Sequence, residues 1–158
     1  MKKMFIALVL CSGMLGGLFA ETVLFVYDEV NKNSSPYITL FRDELKSAGY
    51  TVDETAAAGV SSKNLASYDY ILIHGMVMAF ASKSPVRDWL KTKPALAGKK
   101  VSLLVTANRW YLEKLYKQVT SMLDGLKPVM IDAVSQATKD LDAKGREALV
   151  KKQVSGLK

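Results

Sequence analysis

Three short uncharged runs constrain this chain more than any other feature. They are Val23 to Tyr27, Ile71 to His74 and Val101 to Val105. None alternates polar with apolar residues, so none has a solvent face, and each reads as a strand buried on both sides. A sheet built from such strands needs helices over both faces. The intervening sequence supplies them. Pro36 to Ala48 places Ile38, Leu40, Phe41, Leu45 and Ala48 at helical spacing, and Gly49 follows as a stop. Ser84-Pro85 opens a helix in which Val86, Trp89 and Leu90 share a core face. Tyr111 to Leu123 turns Leu112, Leu115, Tyr116, Val119 and Met122 inward, and Leu141 to Val154 reads as a last helix weakened at Gly145. Thr51 to Thr55 is polar enough to be an edge strand, and Pro128 to Ala133 is a fifth strand. The alternation predicts an α/β fold: a three-layer α/β/α, doubly wound parallel sheet of five strands whose order reverses at one point.

The first twenty residues stand apart. Lys2 and Lys3 precede an uncharged apolar stretch from Met4 to Ala20, the layout of a secretory signal peptide cut near Ala20. An uncleaved anchor is the alternative, although the stretch is at the short end for a full membrane span. The expectation is an exported chain, periplasmic or secreted, with residues 21–158 as one domain that meets a membrane only through this segment. The one cysteine, Cys11, lies inside it. A mature domain without cysteine excludes thiol catalysis and cysteine-ligated clusters, and His74 as the single histidine argues against a clustered metal site. No nucleophile and base can be paired. The precursor carries +7, and loss of Lys2 and Lys3 leaves +5. The basic residues are scattered rather than striped among exposed aromatics, so nucleic acid is not the expected partner.

The stretch Thr22 to Ile38 joins the first strand to the first helix through the loop Asp28 to Ser35, with Ser34 and Ser35 as cap candidates before Pro36. Free amides and the positive helix end point into such a loop, which suits an anion. The same residues also read as an ordinary serine-capped connection. Asp28 and Glu29 are adjacent, so their side chains diverge and do not form an acid–base pair. His74 reads as structural, and Trp89 as core.

The order of these pieces resembles the flavodoxin-like family from Thr22 to about Val154. Val23 to Ser34 aligns on that family's first strand and phosphate loop. Tyr68 to Ile73 resembles its third strand, Gly98 to Thr106 its fourth, and Ile131 to Lys139 the segment after its fifth. The resemblance implies sheet order 2-1-3-4-5, with flavin mononucleotide (FMN) over the carboxyl ends of the strands at the switch point. It implies a cofactor site made of Asn31, Lys32, Asn33, Ser34 and Ser35 around the phosphate. Met78 and Phe80, from the loop after the third strand, and Thr106, Asn108 and Trp110, from the loop after the fourth, would hold the ring. Phe80 and Trp110 are the stacking candidates, and both also read as core or helix-start residues.

The loop departs from the family pattern of hydroxyl, any, hydroxyl, glycine, any, hydroxyl. Glu29 stands at the first hydroxyl position and Lys32 at the glycine. A carboxylate about 4–6 Å from a phosphate would cost roughly 3–4 kcal/mol per charge pair at an effective dielectric near 20. One side-chain hydrogen bond returns about 0.5–1.5 kcal/mol. Two functions follow. One is an FMN protein that takes part in electron transfer or flavin-dependent reduction with a redox protein partner. The other is a non-catalytic module that has lost FMN and binds another phosphate-bearing or anionic ligand, or a protein.

Overall fold

The computed structural model describes residues 20–77 and 83–158. Residues 1–19 of the segment read as a signal peptide, and Met78 and Phe80, lie outside the described residues. Five strands form one parallel sheet: β1 (Thr22–Tyr27), β2 (Thr51–Ala56), β3 (Tyr70–Val77), β4 (Lys100–Ala107) and β5 (Val129–Ala137), in the order β2-β1-β3-β4-β5. Four helices connect them: α1 (Ser35–Ser47), α2 (Pro85–Lys91), α3 (Arg109–Leu126) and α4 (Ala143–Ser155). Two 3₁₀ turns, Ala57–Ser62 and Leu65–Ser67, stand between β2 and β3 in place of a full helix.

The uncharged runs are buried on both sides. Val23, Phe25, Leu72 and Leu104 pack with Tyr37, Phe41, Leu45, Val150 and Val154 of α1 and α4. Leu24, Val26, Ile71, Ile73 and Leu103 pack with Trp89 and Leu90 of α2, Leu115 and Val119 of α3, and the first 3₁₀ turn. Each large apolar side chain buried this way contributes about 1.5–3 kcal/mol before entropy is charged against it. β2 is the polar edge strand the composition predicts, and Arg42 of α1 ties it down with a two-pronged ion pair to Glu54 at 2.7 and 2.8 Å. Gly49, at φ +89°, ends α1 as expected. Its amide donates to Lys46 O and that of Tyr50 to Leu45 O, the closure that a left-handed glycine permits.

Several boundaries differ from the sequence reading. β3 continues through Gly75 to Val77, where a loop was expected, because those residues stay in register with Val105 to Ala107 of β4. β5 runs on to Ala137 for the same reason, Ser135 to Ala137 pairing with Val105 to Ala107. Thus Ile131 to Ala137, aligned on the family's post-strand segment, lies within the strand. α4 is continuous through Gly145, whose amide donates to the capping Asp142 Oδ1 at 2.7 Å. That glycine sits in the first turn, where a cap offsets its flexibility.

Candidate functional site at the carboxyl end of the sheet

The parallel strands end together, so the end of β3 and the loops after β1, β4 and β5 share one edge of the molecule. Sheet order reverses beside β1 and β3, the point at which ligands bind in open α/β sheets. The chain enters this edge at Asp28. Its backbone N–H donates to His74 O at 3.2 Å, one step beyond the β1–β3 ladder. Its side chain turns under the sheet edge and is only 2% exposed. One carboxylate oxygen accepts the amide of Met76. The other accepts the Ser84 hydroxyl at 2.9 Å and the amide of Val86 at 2.7 Å. Ser84 in turn accepts the Arg87 amide at 3.2 Å, so Asp28 and Ser84 together cap α2. Burial raises the Asp28 carboxyl to about 6. The hydrogen bonds from Val86, Met76 and Ser84 and the Arg87 charge pull the other way. Glu29, the next residue, is exposed. The divergence expected of the pair is present, but sequence reasoning missed the structural weight of Asp28. A carboxylate directly ending a buried strand, with a Ser-Pro helix start downstream, was the available signal.

The five residues assigned to phosphate lie together at the start of α1, and the amides of Asn31, Asn33, Ser34 and Ser35 are bonded within the loop. Asn31 Oδ1 accepts the amides of Asn33 and Ser34 at 2.9 and 3.1 Å. Ser34 Oγ donates to Glu29 O at 2.6 Å and accepts the Asn31 amide at 2.8 Å. Ser34 is 1% exposed. Ser35 N–H donates to Asn31 O at 2.9 Å, and Pro36 has no N–H. The amides an anion would use are therefore taken by the side chain of Asn31, which acts as an acceptor rather than the donor it was read as. Lys32 is exposed. These residues do not fit a phosphate in their present arrangement, because the main-chain donors of Asn33 and Ser34 and the Ser34 hydroxyl already have partners.

Thr106 was assigned to the ring, yet it is fully buried and its Oγ1 lies 2.9 Å from His74 Nε2. His74 packs against the Tyr37 ring at 5.0 Å, and burial pushes its imidazole down to about 3. It is neutral at physiological pH. Its Nδ1 has no hydrogen-bond partner among the described residues. His74 and Thr106 thus fasten β3 to β4 beneath the edge rather than face a ligand.

Asn108 and Trp110 do reach the surface. Asn108 ends the β4 loop in extended geometry and α3 begins at Arg109. Trp110 is 65% exposed, with its ring edge-on to Tyr111 at 5.6 Å. With Arg109, Ala137, Lys139 and Asp140 they line a cleft of about 440 Å³ between the loops after β4 and β5. Arg109 and Asp140 form an ion pair at its wall, Arg109 Nε lying 3.0 and 2.9 Å from the two Asp140 oxygens.

No family model matches the sequence, and no curated protein matches it. Solved structures do match. A mutant of Fusobacterium nucleatum flavodoxin bound to flavin mononucleotide aligns over 89% of this chain and 97% of its own, with TM-score 0.70 and 9% identity. A Pseudomonas aeruginosa flavodoxin mutant aligns over 86% and 98%, with TM-score 0.68 and 11% identity. Two-electron reduced Megasphaera elsdenii flavodoxin aligns over 84% and 98%, with TM-score 0.61 and 20% identity. The chain has the flavodoxin-like fold. At these identities the likeness speaks to architecture, and function has to be argued from the loops.

Proposed function

We propose that this chain is an exported, non-catalytic binding module on the flavodoxin-like fold, which takes a ligand or protein partner other than FMN at the carboxyl end of its sheet. The observation that carries this reading is the closed first loop. Asn31 Oδ1 holds both amides a phosphate would need, and Ser34 Oγ is held by Glu29 O. A phosphate entering the loop must displace the Asn31 carboxamide. Export rests on the Lys2-Lys3 start and the apolar run to Ala20.

The test is a titration of the purified chain with FMN and with riboflavin, which lacks the phosphate. The expected result is weak binding with the same affinity for both. Tight FMN binding, a yellow protein as purified, and a large preference for FMN over riboflavin would overturn the reading.

The second reading is an FMN protein engaged in electron transfer with a redox partner. The exposed Trp110 at the ligand edge and the flavodoxin architecture favour it. In that case FMN would supply the redox chemistry, and Trp110 and Asn108 would hold its ring.

A further inference from the structure

We infer that a small monovalent anion, a halide, binds between α1, α4 and the sheet, at a cluster of buried donors formed by Tyr37, His74 and Arg146. The site uses none of the amides of the loop Asn31 to Ser34. Tyr37 lies in the opening turn of α1 and Arg146 in that of α4. The two helices pack together on one face of the sheet, where Tyr37, Phe41, Leu45, Val150 and Val154 share a core. His74 of β3 packs against Tyr37, their rings 5.0 Å apart. Tyr37 is 1% exposed and His74 is fully buried. The Tyr37 hydroxyl, His74 Nδ1 and Arg146 Nε are all shielded from solvent, and none has a hydrogen-bond partner among the described residues. Buried polar atoms of this kind are normally satisfied, so three in one region call for an occupant.

The chemistry of the donors selects it. Arg146 Nη1 donates to Leu141 O at 3.0 Å, and Arg146 forms no ion pair among the described residues. Asp142, which caps the same helix, gives its Oδ1 to the Gly145 amide at 2.7 Å. The guanidinium charge reaches Tyr37: burial raises the phenol, and Arg146 pulls it back. Both helices begin here, so the positive end of each dipole adds to that charge. Thr106 Oγ1 lies 2.9 Å from His74 Nε2. With that hydroxyl donating, the neutral imidazole carries its proton on Nδ1 and becomes the third donor. A water would accept from two donors and bring two hydrogens that need acceptors of their own. An anion accepts from all three and balances the guanidinium. One uncompensated charge calls for one negative charge. An occupant enclosed by groups this deeply buried is limited to about the size of a water, which excludes sulfate and phosphate.

The experiment starts from the purified chain in chloride-free buffer. Sodium chloride is titrated in, against sodium sulfate at matched ionic strength, and the His74 ring nitrogens and the Tyr37 side chain are followed by NMR. Expected is a saturable shift with chloride and none with sulfate, the ring proton being on Nδ1. A crystal grown in sodium bromide should show an anomalous bromine peak among the three groups. Arg146→Gln should weaken chloride about tenfold and Tyr37→Phe several-fold, with circular dichroism unchanged. Water in place of bromide, equal responses to chloride and sulfate, or a chloride affinity indifferent to both substitutions would overturn the inference. So would a ring proton on Nε2, because Nδ1 would then be an acceptor. Should Tyr37→Phe fail to fold, Arg146→Gln and the bromide crystal of the wild type decide.

Discussion

Asp28 at the end of β1 accepts the Val86 amide at 2.7 Å across fifty-eight positions of chain, so one carboxylate joins the first strand to the start of α2. Its other oxygen takes the Met76 amide at the end of β3. Asp28→Ala would leave two buried amides and the Ser84 hydroxyl without an acceptor. A loss of about 2–4 kcal/mol is expected, read as a lower urea midpoint with an unchanged slope. A variant as stable as the wild type would show that these donors find water instead.

Asp28 and His74 should oppose each other in acid. Burial raises Asp28 from 3.8 to about 6, so between those values the folded state holds a proton that the unfolded chain has lost. Stability from this group is full below pH 4 and falls by about 3 kcal/mol as pH rises through 6. Burial lowers His74 from 6.5 to about 3, so the unfolded chain takes a proton that the folded one refuses. That stability is full above 6.5 and is lost as pH falls, by about 4–5 kcal/mol in all. Between pH 4 and 6 the two slopes have opposite sign and nearly cancel. Urea unfolding across this range should be flat for the wild type. It should rise with pH for Asp28→Asn and fall with pH for His74→Phe. Parallel profiles for all three would refute the pairing.

Asn31 should govern the order of the first loop. Asn31→Ala removes the acceptor of the Asn33 and Ser34 amides, a loss on the order of 1 kcal/mol, as for a helix cap. Hydrogen exchange at those two amides should quicken, while Ile38, which donates to Ser34 O at 2.9 Å, stays protected. Unchanged exchange would mean that the carboxamide does not hold them.

Trp110 should matter to ligand and not to fold. At 65% exposure, Trp110→Ala is expected to move stability within about ±0.5 kcal/mol. The same change should abolish stacking of any ring at this edge. A large drop in urea midpoint would instead make Trp110 a packing residue.

Lys127 closes α3 with φ +52°, a left-handed position that suits glycine better than lysine. Lys127→Gly should raise stability by roughly 0.5–1 kcal/mol, read as a higher thermal midpoint.

The uncharged runs, the 3.6-residue spacing of Ile38, Phe41 and Leu45, and the Ser84-Pro85 helix start are local signals. They were enough to determine the layers, the parallel sheet and the edge where loops gather, because periodicity sets which faces must be covered. Loop residues carry no periodicity. Asn31 reads as donor or acceptor until its neighbours' amides are placed, and the chain folded them onto it. Thr106 resembles a ligand contact until β3 and β4 pair, which brings His74 to its hydroxyl. The polar partners of Asp28 come from residues more than forty positions away. The amino-acid order therefore determined the fold on its own. Which donors are left for a ligand was decided only in three dimensions, because a hydrogen-bonding group is used up by whichever partner the tertiary structure brings within about 3 Å.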